Sequence, residues 1–568
     1  MINVIERMKQ DIEYTVSQSI GKAAKNKQLP QIDTCAIFIE TPREKGHGDF
    51  STNVAMQMTR QAKMPPVKIA SIIIENIIES LKFEDTYIGK VQCAGPGFIN
   101  FYLKNDWLYY TLKVIQSERE NYGRLDVGHG KKIMVEFVSA NPTGPLHMGN
   151  ARGGALGDCI ASVLEAAGYD VTREFYVNDA GNQMDKFGIS LEARYIQLLR
   201  GKNSILFPED GYHGDDITEH AKKYIEVYGD KLLDYSSDER RNELVKYALE
   251  KNLESIKSVL EDYGVRFDVW FSEQSLYDSG ELKDTLEYLE ENELTYEKDG
   301  ALWFKTTGFG TDKDEVIVRS NGMPTYFASD IAYHRNKFLK REFDRVINLL
   351  GADHHGHVAR MKAAVEALGV EPDKLDIIIF QLVRLYRNGE ITRMSKRTGK
   401  AISLADLLDE AGKDAARFFF NMKASGNHLD FDLDLAVRQS NENPVFYVQY
   451  AHARICSMLK LLESEGIRVP DVEQVDLTPL KENEEIELIK KLAEYPEEVG
   501  ISAQTLEPSR LTRYVMDVAS LFHSFYNACR VKGEEENLMM ARLILVDSTK
   551  IVIKNILDLL SITAPEKM

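Results

Sequence analysis

The chain is poor in cysteine. The five present, Cys35, Cys93, Cys159, Cys456 and Cys529, are scattered, and no C-x-x-C occurs. That argues against a disulfide framework or a zinc ribbon and points to a reducing compartment, read here as the cytoplasm. Long apolar runs are missing as well: none reaches the roughly 20 residues of a membrane span. The opening, MINVIERMKQDIEYTV, lacks a signal-peptide core. No internal repeat or low-complexity segment occurs. Positive charge is in deficit, with 70 Lys and Arg against 89 Asp and Glu, a net charge of −19. Phosphate contacts need cations. A nucleic-acid partner would therefore have to meet a local Lys/Arg patch, because net charge reports only the average field.

What is present starts with length. At 568 residues, about three or four domains are expected at roughly 100–200 residues each. The most informative stretch runs from Ile133 to Gly168. Ile133, Met134, Val135, Phe137 and Val138 form an apolar run suited to a buried parallel strand. Asn141, Pro142, Thr143, Gly144 and Pro145 break it. Leu156, Cys159, Ile160, Val163, Leu164 and Ala167 then recur at helical spacing, and Gly168 sits where a C-terminal cap belongs. Tyr169 to Val177 is again apolar-rich. This is a βαβ unit whose loop lies at the carboxyl end of its first strand, where open α/β sheets bind ligands.

That loop carries His147, Met148, Gly149 and Asn150. A helix start offers free N–H groups and a positive dipole end, so phosphate is a natural ligand. Gly149 would let a planar base approach, and His147 and Asn150 would add donors. The competing reading is a His and an Asn that simply cap a helix. Glu136 stands inside the apolar run; a buried Glu needs a cationic partner, which could be structural or a substrate.

H-M-G-N resembles the first signature of class I aminoacyl-tRNA synthetases, with Asn150 in place of the second His. The longer E-F-V-S-A-N-P-T-G-P-L-H-M-G-N is similar to the arginyl-tRNA synthetase version. The resemblance implies a Rossmann-like α/β catalytic domain with a parallel sheet, an N-terminal α/β domain and a C-terminal α-helical bundle. It also implies that arginine is activated with ATP, the ATP carrying Mg²⁺, and transferred to tRNA(Arg). No protein-held metal is expected.

The rest of the chain falls into that frame. Residues 1 to about 115 form a first unit, with a helix over Pro66–Leu81 and strands near Lys90–Cys93 and Phe98–Leu103. G-H-G-D-F-S-T-N-V-A-M and G-P-G-F-I-N-F-Y-L resemble the family's N-terminal domain. That likeness implies tRNA contacts at Phe98 and Asn100. The alternative is that Phe98 belongs to the core.

Residues from about 120 to 435 carry the catalytic pattern. A charged helical insertion is expected near 190–265, and the sheet pattern resumes at Ala301–Lys305, Glu315–Arg319 and Arg345–Leu350. Tyr326 and Asp330 are four apart and share a helix face. By default they are a surface pair. The resemblance makes them, with Glu136, the holders of the arginine side chain, and carboxylates suit a planar, permanently charged guanidinium. Ser139 and Asn141 match the positions for the α-amino and carboxylate ends. In G-A-D-H-H-G-H-V, Asp353 with His354, His355 and His357 could be metal ligands, but there is no H-E-x-x-H pattern. The resemblance favours Asp353 on the ribose of ATP. R-M-S-K-R, Arg393 to Arg397, resembles the second class I signature. It implies ATP contacts from Met394, Ser395 and Lys396, the last stabilising charge on departing pyrophosphate.

From about 440 to 568 the pattern is helical. Leu511, Tyr514, Val515, Val518, Leu521, Phe522 and Phe525 form one apolar stripe. Y-V-Q-Y-A-H-A-R-I resembles the anticodon-binding bundle of the family, which further implies a monomer that activates arginine only with tRNA bound. Two competitors stand beside this reading. One is another class I synthetase or a nucleotidylyltransferase. The other is a non-catalytic tRNA-binding paralogue.

Overall fold

Amphipathic helices open the chain. In Val4–Lys25 the residues Val4, Ile5, Met8, Ile12 and Val16 line one buried face. In Pro66–Ser80 a proline at the first turn starts the helix, where its missing N–H costs nothing. Val4–Lys25 packs on Pro66–Ser80, which in turn covers an antiparallel sheet of Phe50–Thr52, Ile88–Ala94 and Phe98–Leu103, ordered with Phe98–Leu103 in the middle. The structure, a computed structural model, describes residues 3–31, 36–42, 44–392 and 402–568.

The central sheet is built from five strands: β1 (Lys132–Glu136), β2 (Asp170–Val177), β3 (Val269–Ser272), β4 (Arg345–Gly351) and β5 (Leu375–Phe380). All neighbours pair in parallel, in the order β3-β2-β1-β4-β5. The order reverses at β1, so the crevice at the carboxyl ends of β1 and β4 is the topological switch point. Helix α1 (Met148–Ala166) crosses from β1 to β2, and helix α2 (Tyr326–Arg335) precedes β4. Gly168 takes φ +90° just past α1, the left-handed stop expected of it.

Two expected strands lie elsewhere. Ala301–Phe304 and Glu315–Val318 join Thr295–Lys298 in a separate antiparallel sheet and do not extend the parallel one. The cause is local. Asp299 and Gly300 both take positive φ, 54° and 72°, and a two-residue turn of that kind reverses the chain into a hairpin. The parallel sheet is instead completed by β3 and β5.

The insertion is helical, with Asn182–Arg200, Asp215–Tyr228 and Ser237–Asp262 around their own core of Phe187, Leu191, Tyr224 and Leu244. The C-terminal part is a bundle of Pro444–Ser464, Asn483–Ala493, Tyr495–Thr505, Ser509–Ala528 and Glu536–Leu559. Leu511, Tyr514, Val515, Val518, Phe522 and Phe525 are all buried in it. Helix Asp106–Glu118 spans the expected break at 115 and docks on this bundle, where the Tyr109 hydroxyl donates to the Leu480 carbonyl. Arg417, fully buried, ties the halves together. It donates to Asp158 of α1 at 2.5 Å and to the Leu560 carbonyl at 2.7 Å.

Candidate active site

The site begins where β1 ends. Val138 and Ser139 take φ of +66° and +38°. Left-handed backbone is uncommon for non-glycine residues and an outlier for a β-branched one, at a cost of about 1–3 kcal/mol each. The bend turns the Ser139 hydroxyl back on the strand: it donates to Glu136 Oε1 at 3.1 Å and accepts from the Tyr176 N–H at 3.2 Å. Asn141 follows, exposed on the loop. That loop is held from the insertion, because Asn252 donates to the Pro142 carbonyl at 2.8 Å and the His220 ring meets Asn252 Oδ1 at 2.8 Å.

His147 is the N-cap of α1, and the capping reading of H-M-G-N describes the geometry found. The Gly149 N–H donates to His147 Nδ1 at 3.1 Å, while Asn150 Oδ1 accepts the His147 N–H at 3.0 Å. Capping does not exclude ligand binding. Partial burial lowers the His147 pKa, and an Nδ1 that accepts carries no proton. The neutral ring therefore holds its hydrogen on Nε2 and can donate it. α1 lies tight against β1: a Cβ on Gly157 would sit 2.2 Å from the Phe137 ring. Met394, Ser395 and Lys396 lie outside the described residues. Just beyond them, Ser403 forms an antiparallel bridge with His147, and the Leu404 N–H donates to the Leu146 carbonyl at 2.8 Å. The chain after the second signature therefore returns to the first.

Glu136 is buried, and its cation is internal. Lys337 Nζ, with no exposed surface, donates to Glu136 Oε2 at 2.6 Å and to Asn348 Oδ1 at 3.1 Å, and lies 3.9 Å from the centre of the Tyr333 ring. Lys337 belongs to a π-helical turn, Asn336–Lys340, that continues α2; such turns often mark functional sites. Of the two partners open to a buried Glu136, the structural one is therefore in place.

Tyr326 opens α2, half-exposed, and Asp330 follows one turn on. Asp330 keeps a 29% opening to solvent, and its Oδ2 lies 3.3 Å from His357 Nε2. Burial, then the charges of Glu273 and Glu136, push its pKa up to about 8, against the opposing pull of Arg360 and Lys337. His357 is pushed down to about 4, by burial first and then by Arg360 and His354. Arg360 Nε donates to His357 Nδ1 at 2.8 Å. The neutral His357 ring therefore turns its Nε2 hydrogen toward Asp330, and the contact joins two uncharged groups at neutral pH.

Lys337 and Glu273 were absent from the expected site. Glu273 directly follows β3 and is almost fully buried; it meets the Ser329 and Tyr176 hydroxyls, and burial raises its pKa. Reading W-F-S as a strand ending at the crevice would have flagged it. Asp353 is exposed beyond β4, 3.5 Å from the His354 ring. His354 and His357 thus face different acids. Among the described residues no three His, Cys, Asp or Glu side chains converge as a metal site would require. In the N-terminal sheet Phe98 is 37% exposed beside the hairpin turn, whereas Asn100 is 3% exposed and faces inward. Asn100 thus has almost no surface to offer an RNA, because it sits on the central strand between Ser51 and Gln92.

Comparison with known proteins agrees with this arrangement. Residues 10–103 match the family described as arginyl tRNA synthetase N terminal domain, residues 111–429 that of tRNA synthetases class I (R), catalytic domain, and residues 448–568 the DALR anticodon binding domain. The arginine–tRNA ligase of Acetivibrio thermocellus is 72% identical over 568 residues, all of both chains. That of Ruminiclostridium cellulolyticum is 67% identical, again over all of both. The solved Thermus thermophilus arginyl-tRNA synthetase shares the fold, with a TM-score of 0.73 at 22% identity over 99% of this chain and 100% of that one. From its first domain to its last, the chain belongs to the arginyl-tRNA synthetase family of class I aminoacyl-tRNA synthetases.

Proposed function

We propose that the chain is an arginine–tRNA ligase working in two steps. The arginine carboxylate attacks the α-phosphate of ATP, which arrives with Mg²⁺ as part of the substrate, giving arginyl-adenylate and pyrophosphate. A terminal ribose hydroxyl of tRNA(Arg) then takes the arginyl group and AMP leaves. No covalent bond to the protein forms, so catalysis is positioning and charge stabilisation. His147 donates through Nε2 to phosphate, beside the free N–H groups of the α1 terminus. Gly149 and Asn150 flank the nucleotide, Asp353 accepts from the ribose, and Met394, Ser395 and Lys396 bind ATP. Lys396 neutralises the leaving pyrophosphate. Ser139 and Asn141 orient the α-amino and carboxylate groups. Tyr326 and Asp330 meet the side chain, with Glu136 behind them on Lys337. Phe98 stacks on an unpaired base of the tRNA, and Asn100 sets its strand from inside. The enzyme acts as a cytoplasmic monomer; no described helix is long and apolar enough to cross a membrane.

The observation that carries this reading is Asp330 itself, a carboxylate at the crevice whose burial, and then the neighbouring acids, favour its protonated form until a cation arrives. Asp330→Asn keeps the shape and removes that demand. Arginine binding should weaken by about 3–5 kcal/mol, as for a broken buried ion pair, with ATP binding unchanged. Unaltered arginine affinity would refute the assignment.

A further inference from the structure

Among the described residues four arginines are buried: Arg152, Arg387, Arg417 and Arg542. Three face a carboxylate. Arg387 meets Glu410 at 2.6 Å, Arg417 meets Asp158 at 2.5 Å and Arg542 meets Glu485 at 2.7 Å. Arg152, on α1 five positions after His147, has no exposed surface and no acid partner among the described residues. Its guanidinium donates instead to two backbone carbonyls, Gln381 at 2.6 Å and Ala424 at 3.1 Å. Its Nε is buried without an acceptor, and burial lowers its pKa to about 10. A buried cation without a counter-charge is costly. What it offers in return is geometric: a rigid planar fork can hold two carbonyls on separate segments at once.

Those segments define the way into the second signature. Gln381 directly follows β5, and α1 lies close there: a Cβ on Gly153 would sit 3.0 Å from the Phe380 ring. The Gln381 N–H donates to the Ser425 carbonyl at 3.0 Å, so Arg152 grips both sides of one junction. Beyond it, strand Val383–Arg387 turns at Asn388 and Gly389 into strand Glu390–Thr392. Both turn residues have positive φ, 52° and 76°, as a tight N-G hairpin requires. Strand Val383–Arg387 also pairs in parallel with Leu429–Asp432, which follows the Ala424–Ser425 segment. Thr392 is followed at once by Arg393 to Arg397. On the far side of that signature, Ser403 bridges to His147. The chain is therefore fastened to α1 both before and after the second signature, by Arg152 at the root of the hairpin and by the His147 cap on return.

We propose that Arg152 is a positioning residue for adenylate formation: it fixes the root of the hairpin that leads to Lys396 against the helix that carries His147. This rests on the reading above that Lys396 acts on the leaving pyrophosphate.

The test is a double-mutant cycle on ATP–pyrophosphate exchange by the full-length enzyme with tRNA(Arg) present. Arg152→Met keeps an apolar stem and removes the donors. Its kcat should fall about 10- to 100-fold, which a misplacement of about 1 Å can cost. The arginine KM should stay, because Tyr326 and Asp330 belong to α2. In a Lys396→Ala background the same replacement should cost no more than about 2-fold, since groups that act as a unit are not lost twice. Arg152→Lys keeps the charge but cannot span both carbonyls. It should lose less, its loss should vanish in the same background, and it carries the cycle if the Met variant does not fold. Wild-type kcat in the Arg152 variants that fold, or losses that multiply with that of Lys396→Ala, would overturn the proposal. So would an arginine KM that rises as far as kcat falls, which marks a structural role only. Lys396→Ala alone separates the two readings: if it loses rate while the Arg152 variants do not, only this inference fails, and if it keeps full exchange, the Lys396 reading fails and this inference with it.

Discussion

Arginine binding should expel a proton, and its affinity should climb steeply with pH. In the free pocket Asp330 sits at about 8. At pH 7 a group with that pKa is only about one-tenth ionised, so a ligand that demands the carboxylate releases about 0.9 proton. The sign follows from which form binds. The raised pKa favours the neutral acid, the guanidinium favours the anion, and so affinity rises with pH and levels off above about 8. Between pH 8 and pH 6 it should fall about 50-fold, provided the bound carboxylate ionises below about pH 5. Other groups facing Asp330 do not produce this slope. His357 titrates at about 4, beneath the window. The ligand keeps its guanidinium and α-ammonium charges throughout. Glu273, also raised, can only add to the release. The assay is calorimetric titration at several pH values in paired buffers of different ionisation heat, with ATP binding as the control. A flat arginine affinity from pH 6 to pH 8, with equal heats in both buffers, would refute the reasoning.

Lys396→Ala should lower kcat by about 10²–10³ with little change in arginine KM, since its contact strengthens only as pyrophosphate leaves; near-normal single-turnover adenylate formation would remove Lys396 from the mechanism. Lys337→Met leaves Glu136 buried beside no cation and should cost about 3–5 kcal/mol of stability in urea unfolding. Adding Glu136→Gln to Lys337→Met should recover most of that loss, and strictly additive losses would mean the ion pair was not its source. Phe98→Ala should weaken tRNA binding by about 1–3 kcal/mol, the worth of one stacked base, and leave arginine and ATP affinities untouched; unchanged tRNA binding would return Phe98 to a structural role.

Much of the fold could be read locally. Pro66 marks the start of its helix because the start needs no N–H there, and Gly168 marks the end of α1 because the chain must turn left-handed. The hydrophobic run of β1 and the helical spacing of α1 identify the βαβ unit, since both faces of a parallel sheet are covered. Sheet membership is another matter. Ala301–Phe304 and Glu315–Val318 are strands by composition, yet strand propensity does not say which sheet they join. The D-G turn at Asp299–Gly300 did carry that information, because a tight hairpin makes its two strands antiparallel neighbours.

The site divides the same way. His147, Gly149 and Asn150 lie within one turn, so their mutual geometry follows from helix capping and could be anticipated. That Glu136 needs a cation follows from burial alone, but which cation does not. The ammonium that answers it is 201 residues away and arrives through a π-helical turn that shifts the helix register just before Lys337. Helical spacing counted from Asp330 assumes 3.6 residues per turn, and a π turn breaks that count. The consequence is functional. Of the two partners open to a buried Glu136, a structural cation and a substrate, the fold itself supplies the first in Lys337. Asp330 and Glu273 have no Lys or Arg ion pair among the described residues, and Glu273 follows a strand too short and too aromatic for its alternation to show. Which buried acids the fold supplies with an internal cation, and which it leaves without one, follows from tertiary contacts and not from the order of the residues.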